Sequence, residues 1–219
     1  MFKVQGSNHL ITTSSNHLII IFVLCFLLLL GVTSCFGQQM KAPKDAPHFV
    51  YPTSVALAYG IGNTFNGSDM VANGNISCEI QQVFAYQFTN YFFTGVGAGL
   101  DFWFYDKKTS TFIPIFANAT VKLMDKKTAP FIFTNIGYAF KWQVQNPLDE
   151  DVFYGTKAGI HFQSGLGVNL KFSEKISLLF AAYYKMQQSA NKFRESDLVL
   201  AETSNQLFHF IGIKISILY

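Results

Sequence analysis

Four ionisable residues of opposite sign could form a charged cluster inside this protein. They are Glu79, Asp101, Lys141 and Lys185. Each lies on the more polar face of a segment in which apolar and polar residues alternate, so each would point to the same side of a sheet. A symmetric turn at 89–91 places Glu79 opposite Asp101. Two adjacent carboxylates are destabilising unless a cation approaches, so we expect Lys141 or Lys185 to join them in a buried ionic cluster.

Hydrolytic chemistry would need a Ser, a His and an acid that converge on one site. His161 and Ser164 are close in sequence, but their spacing puts them on opposite faces of one strand. His209 has Leu207 and Ile211 two positions away, where a Ser or Thr would be needed. We also find no Gly-rich phosphate loop and no Cys/His metal spacing. We therefore expect no enzymatic activity, no metal and no cofactor.

The composition indicates a membrane protein or an unusually apolar soluble one. Half of the 219 residues are hydrophobic and 13% are charged, against about a quarter charged in soluble domains. Aromatic residues are abundant, with 24 Phe and 10 Tyr. The formal net charge of +3 is too small to argue for a nucleic-acid partner.

The amino-terminal segment has the pattern of an export signal. An apolar run from Leu18 to Val32 follows Lys3 and precedes small residues, and it is shorter than the about 20 residues of a transmembrane helix. We predict that residues 1–37 are a signal peptide cleaved after Gly37. In a second reading, the sequence from Val32 to Cys35 resembles a lipobox, and Cys35 would become a lipidated first residue.

The remainder of the chain reads as eight alternating segments, preceded by a leader at residues 38–52. The segments are Thr53–Gly62, Asn75–Phe88, Phe92–Tyr105, Phe112–Leu123, Phe131–Trp142, Thr156–Phe172, Ile176–Gln187 and Leu207–Tyr219. Short connections at one end alternate with mostly longer ones at the other, which is typical of an antiparallel up-and-down barrel in a membrane. We therefore predict an all-β, eight-stranded transmembrane β-barrel over residues 53–219.

The two faces of these segments indicate which side is the interior. Glycines such as Gly95, Gly97, Gly165 and Gly167 crowd the polar face, and the lumen of an eight-stranded barrel has room for little more than side chains. Aromatic residues recur near the ends of the apolar face, as in interfacial girdles. They include Tyr86, Phe88, Phe102, Phe104, Tyr138, Trp142, Phe172, Tyr184 and Tyr219. We expect the apolar face to meet lipid and the polar face to line the lumen.

The last segment carries a family resemblance. Apolar residues alternate with Gly212, Lys214 and Ser216 up to a terminal aromatic, Tyr219. With the signal peptide and the other seven segments, this resembles the small bacterial outer-membrane β-barrel family of the OmpA/OmpX type, from Thr53 to Tyr219.

The resemblance implies a location in the bacterial outer membrane, with both termini in the periplasm. It also implies contact with outer-membrane lipid and lipopolysaccharide, and a terminal strand that the barrel-assembly machinery reads. The residues of this closing signal would be Phe210, Ile213, Ile215, Ile217 and Tyr219.

The function that we predict is a monomeric structural or surface-interaction scaffold with a plugged polar lumen. One alternative is a small pore or a transport channel for a hydrophobic ligand. A lipid-modifying barrel enzyme is a further alternative.

Overall fold

The protein forms a closed β-barrel in the computed structural model. The chain divides into two units, Met1–Ala42 and Pro43–Tyr219. The structure describes residues 47–66, 69–105, 108–142, 159–173, 176–193 and 202–219, which all belong to the second unit. The predicted signal peptide, its cleavage point and Cys35 lie outside the described residues.

Eleven strands run through the described residues. Their bounds are β1 His48–Val50, β2 Thr53–Ile61, β3 Asn63–Asn66, β4 Asp69–Ala72, β5 Ile76–Thr89, β6 Phe92–Tyr105, β7 Lys108–Lys122, β8 Thr128–Trp142, β9 Gly159–Lys171, β10 Ser177–Phe193 and β11 Glu202–Leu218. The longer ones, β2 and β5 to β11, alternate in burial along much of their described length. Within the described residues there is no helix long and apolar enough to span a membrane.

Eight of the strands close on themselves. Their order around the barrel is β2, β11, β10, β9, β8, β7, β6 and β5, and the pairing of β5 with β2 completes the circle. Every neighbouring pair is antiparallel. Consecutive segments of the chain are therefore neighbours in the barrel, and the prediction of an eight-stranded up-and-down barrel is confirmed.

Three short strands lie outside the ring of eight. β1 pairs with β5, with Val50 opposite Ala85, so the end of the predicted leader joins the sheet. β3 and β4 form a hairpin within the predicted loop at 63–74. Gly62 separates this hairpin from β2 and has a φ of 75°, a backbone conformation that favours glycine.

The two ends of the barrel differ in their connections. The short-turn end carries the turn at Asn90–Tyr91, the connection between Lys122 and Thr128 and the one between Lys171 and Ser177. Tyr51 and Tyr219 also lie at this end, where the Tyr51 amide donates to the Tyr219 carbonyl at 2.9 Å. The opposite end, here called the loop end, carries the β3–β4 hairpin and the connections that follow β6, β8 and β10.

The last hairpin is longer than the sequence indicated. β10 continues past Gln187 to Phe193, and β11 begins at Glu202 rather than at Leu207. Phe193 and Glu202 remain in register. Residues 188–192 and 202–206 are mainly polar and so lack the alternation that marked the other segments, although a strand with no apolar face to bury can still pair.

The burial of side chains confirms the predicted faces. The outward apolar side chains are exposed, with 69% for Leu166, 64% for Val96 and 62% for Ile213. The charged side chains of Glu79 and Lys185 are fully buried in the lumen. The lumen is not uniformly polar, however, because a group of large aromatic residues is also buried there. Its members include Phe93, Trp103, Phe112, Phe116, Phe131, Phe133, Tyr183, Phe208 and Phe210.

Gly167 provides a test of how closely the wall packs around the lumen. A Cβ added to Gly167 would lie 1.9 Å from the Phe180 carbonyl oxygen, whereas one added to Gly74 would meet only the Tyr59 hydroxyl, at 3.7 Å. We expect Gly167→Ala to lower the free energy of unfolding by about 1–3 kcal/mol, the usual cost of overpacking. The matched control, Gly74→Ala, should change it by less than about 0.5 kcal/mol. Urea unfolding in detergent micelles measures both, and equal effects of the two substitutions would contradict this packing.

Candidate site: an ionic plug in the lumen

The strands bring an acidic pair and a lysine together from opposite sides of the barrel. Glu79 on β5 and Asp101 on β6 are direct cross-strand partners, as the sequence predicted. Lys185 lies on β10, three strands from β5 in one direction around the ring and five in the other. Its side chain must therefore cross the lumen to meet the carboxylates.

Lys185 makes an ion pair with each carboxylate. Its Nζ lies 2.6 Å from Glu79 Oε1 and 2.9 Å from Asp101 Oδ2. It also donates to Ser77 Oγ at 2.7 Å. An ammonium has three N–H donors, so all three are used. Ser77, Glu79, Asp101 and Lys185 are all fully buried, and we call these four residues the plug.

Neutral donors saturate the Glu79 carboxylate. The Tyr183 hydroxyl donates to Oε1 at 3.0 Å. The side-chain amides of Gln81 and Gln163 donate to Oε2 at 2.8 and 3.0 Å. A buried carboxylate is tolerated when it is both paired and hydrogen-bonded, and Glu79 meets both conditions.

Asp101 is held in the same way. Ser77 Oγ donates to Oδ1 at 2.6 Å, and Trp103 Nε1 donates to Oδ2 at 2.7 Å. Because Ser77 accepts from Lys185 and donates to Asp101, it fixes the ammonium and the carboxylate in one arrangement. Each charge in the plug therefore has an opposite charge and neutral partners within hydrogen-bonding distance.

Lys214, on β11, is a second buried lysine beside the plug. Its Nζ donates to Gln81 Oε1 at 2.8 Å and to Gln163 Oε1 at 2.5 Å. These are the same two amides whose nitrogens donate to Glu79, so each glutamine is oriented by a cation on one side and an anion on the other. The sequence placed Lys214 on the lumen face, but it gave no sign that Lys214 would reach the amides that hold Glu79.

An amide chain continues the network toward the short-turn end. Asn135 Nδ2 donates to Gln163 Oε1 at 2.9 Å, and Asn118 Nδ2 donates to Asn135 Oδ1 at 2.7 Å. Thr120 Oγ1 donates to Asn118 Oδ1 at 3.3 Å. Side chains from β5, β6, β7, β8, β9, β10 and β11 are thus connected through one set of hydrogen bonds.

Aromatic rings cover the plug on the side of the loop end. The ring of Trp103 lies 4.4, 5.0 and 4.8 Å from the rings of Phe112, Phe208 and Phe210. The Lys185 ammonium lies 4.5 Å from the centroid of the Phe210 ring, a distance at which a cation–π interaction is attractive. We call these four rings the aromatic lid. They exclude water from the ion pairs, which strengthens the electrostatic interactions.

Three of the four residues predicted for the ionic cluster are in contact in the structure. Glu79, Asp101 and Lys185 come together, and Lys185 rather than Lys141 makes the described ion pairs of both carboxylates. Lys141 follows Asp101 and Phe112 along one row of paired residues, but its side chain is only half-buried. Phe210, which the sequence grouped with the closing signal, lies inward in the aromatic lid.

The other residues of the closing signal lie on the outer surface or at the strand end. Ile213 and Ile215 are exposed, and Ile217 is half-buried on the same face. The ring of Tyr219 stacks on Tyr51 with 6.2 Å between centroids. This placement fits a closing strand, and the reading of the strand by an assembly machinery stays a prediction.

His161 and Ser164 lie on opposite sides of the barrel wall. His161 is fully buried in the lumen, where its Nδ1 is 3.1 Å from Gln187 Oε1. Ser164 faces outward and donates to the Phe133 carbonyl at 3.1 Å. These two side chains cannot act on the same substrate atom.

Comparisons with known proteins show similarity of fold only. No family model and no curated protein matches the chain. Among solved structures, Neisserial surface protein A is 12% identical, with 78% of this chain and 98% of that chain covered and a TM-score of 0.49. OprG, an outer membrane protein from Pseudomonas aeruginosa, is 12% identical, with 78% and 96% covered and a TM-score of 0.49. Ail, the attachment invasion locus protein of Yersinia pestis, is 6% identical, with 78% and 99% covered and a TM-score of 0.44.

The barrel fold itself is established by the closed strand pairing described above. It is the fold that the resemblance to OmpA/OmpX-type proteins implied. The ion pairs and hydrogen bonds in the lumen are described from this chain's own side chains and not from the similar structures.

Removal of Lys185 tests the plug. Lys185→Met leaves two buried carboxylates without their paired cation, and we expect a loss of about 3–5 kcal/mol in the free energy of unfolding. The triple variant Glu79→Gln, Asp101→Asn and Lys185→Met removes all three charges at once and should recover most of that loss. Urea unfolding of the refolded barrels in micelles compares the variants. A triple variant no more stable than Lys185→Met would show that unpaired charge is not the cause.

Proposed function

We propose that this protein is an integral membrane protein of the bacterial outer membrane, in which the barrel is a scaffold with a closed lumen. The observation that carries the membrane location is the outward surface. Large apolar side chains on all eight barrel strands are exposed, among them Leu57, Phe84, Val96, Ile115, Ile136, Leu166, Phe180 and Ile213. A continuous apolar surface of this extent is unfavourable in water and matches the hydrocarbon core of a bilayer.

Exposed aromatic residues at both ends of this surface support the same location. Tyr138 and Trp142 are exposed toward the loop end, and Phe88 and Phe172 are exposed toward the short-turn end. Aromatic side chains favour the two interfaces of a bilayer. The apolar band between them would contact outer-membrane lipid, with lipopolysaccharide around the loop end.

The closed lumen supports a scaffold rather than a through-channel. Lys185 crosses the lumen, and the aromatic lid lies directly beside it. β10 and β11 have 17 residues each, more than the about 9–11 residues that a strand needs to cross a bilayer. Their loop ends would therefore project beyond the membrane and present the connecting segments to the exterior. Insertion would use the terminal strand, β11, and the barrel would be a monomer.

Planar-bilayer recording tests whether the lumen is closed. We expect the purified protein to insert without producing conductance steps. Glu79→Gln and Asp101→Asn should also be silent, because the amides and the aromatic lid still fill the lumen. As a control, a porin is then added to the same bilayer and should produce conductance steps, which shows that the bilayer can report an open channel. Reproducible steps from the unaltered protein would contradict the closed lumen and favour the small pore.

Cysteine labelling tests the membrane location and the orientation together. In a Cys78→Ser background, Gly74→Cys places a thiol at an exposed position after the β3–β4 hairpin, at the loop end, and Lys126→Cys places one at the exposed short-turn end. We expect a membrane-impermeant maleimide to label intact cells carrying the first variant at once. The second variant should become labelled only after the outer membrane is permeabilised. The reverse pattern would invert the orientation, and labelling of neither variant after permeabilisation would contradict surface exposure of both ends.

A further inference from the structure

Lys214 is a buried cation without a carboxylate in contact. Its side chain is 6% exposed, and its two hydrogen bonds go to neutral amide oxygens of Gln81 and Gln163. Both ion pairs of the described lumen belong to Lys185. An ammonium has three N–H donors, so one donor of Lys214 has no oxygen or nitrogen acceptor among the described residues, and the nearest aromatic ring, that of Phe133, has its centroid 4.6 Å from Nζ.

The ion pairs of the described lumen leave Lys214 without a counter-ion in direct contact. Both carboxylates of the plug pair with Lys185, and Lys214 is the other buried lysine that the structure describes. A buried charge is costly unless it is paired and hydrogen-bonded. A small anion beside Lys214 would supply that pairing.

A small cavity lies next to this lysine. Its volume is about 30 Å³, and both Lys214 and its acceptor Gln81 line it. Among the other lining residues, Ser216 offers a hydroxyl donor, and Asn118 and Asn135 each have a second side-chain N–H beyond the bonds described above. A single water needs about 10–15 Å³ of such volume, so the cavity has room for one or two waters or one ion of similar size. A carboxylate or phosphate with its own substituents is too large.

The approach to the cavity from the short-turn end is basic. The described side chains at that end include four lysines, Lys122, Lys126, Lys127 and Lys171, and one acid, Asp125. The Lys122 ammonium lies 5.8 Å from the centroid of the Phe93 ring, and Phe93 lines the cavity. Charges of one sign around a narrow entrance with low-dielectric walls concentrate counter-ions there.

We propose that this cavity is a binding site for a small monovalent inorganic anion of about the size of chloride. The anion enters from the short-turn end, accepts the third N–H of Lys214 and is held by the hydroxyl and amide donors around it. Because the plug closes the lumen beyond Lys214, the site is a dead end. It binds the anion and does not conduct it. The site depends only on the lumen and does not require the membrane role proposed above.

Thermal unfolding at constant ionic strength tests the proposal. A ligand that binds only the folded state raises the unfolding midpoint, so the purified barrel in micelles should unfold a few degrees higher in sodium chloride than in sodium gluconate, whose anion is too large for the cavity. Lys214→Met should abolish this difference. Lys126→Met, which removes an exposed lysine at the same end, should retain it. No chloride-dependent difference in the unaltered protein, or a difference that survives in Lys214→Met, would overturn the proposal.

A second variant keeps the test decisive if Lys214→Met does not fold. Ser216→Val retains the ammonium but fills the cavity, and it should also abolish the chloride effect. Crystals grown in sodium bromide locate the site directly. We expect an anomalous peak within hydrogen-bonding distance of Lys214 Nζ in the unaltered protein and no such peak in Ser216→Val. An empty cavity at saturating bromide, or a peak unchanged by Ser216→Val, would show that the cavity is not the binding site.

Discussion

The contact of Lys185 with Glu79 and Asp101 is the interaction on which the interior of this barrel depends. The ring has only eight strands, so side chains from opposite walls must meet in the lumen. Two adjacent carboxylates on β5 and β6 could not remain there alone. Lys185 on β10 supplies the opposite charge, and Ser77, Tyr183, Trp103 and the glutamines satisfy the remaining lone pairs. The plug thereby connects walls that share no backbone hydrogen bond.

The need to pair charges inside a narrow lumen also explains why the inner and outer surfaces of the barrel differ. With the charges of the plug paired inside, the barrel can present an almost wholly apolar exterior, and the backbone hydrogen bonds are paired because the sheet has no free edge within the ring. The plug and the aromatic lid occupy the described lumen around Lys185. In the scaffold role proposed above, specificity for an external partner would therefore reside at the loop end and not in the lumen.

Much of this fold is readable from the sequence, because a period of two marks both the strands and their faces. The pairing of Glu79 with Asp101 was predicted from a symmetric turn at 89–91. In the structure Thr89 pairs with Phe92, and a shift of register between Gln87 and Thr89 leads to the same pairing. The partner lysine did not follow. The sequence places Lys141 and Lys185 at a similar height on the lumen face and does not distinguish them as partners of the carboxylates. Which of the two pairs with them depends on how the side chains cross the lumen. The aromatic lid was also not predictable from the sequence. Its members Trp103, Phe208 and Phe210 lie on a mainly polar face, where an aromatic residue gives no periodic signal.

A double-mutant cycle between Lys185 and Asp101 tests the central role of the plug most directly. Unfolding free energies of the unaltered barrel, Lys185→Met, Asp101→Asn and the double variant yield the interaction energy of the pair. A buried, shared ion pair predicts a favourable interaction energy of about 2 kcal/mol or more, well above the about 0–1 kcal/mol of an exposed pair. An interaction energy indistinguishable from zero would mean that the two residues are independent and that the lumen is not organised around Lys185.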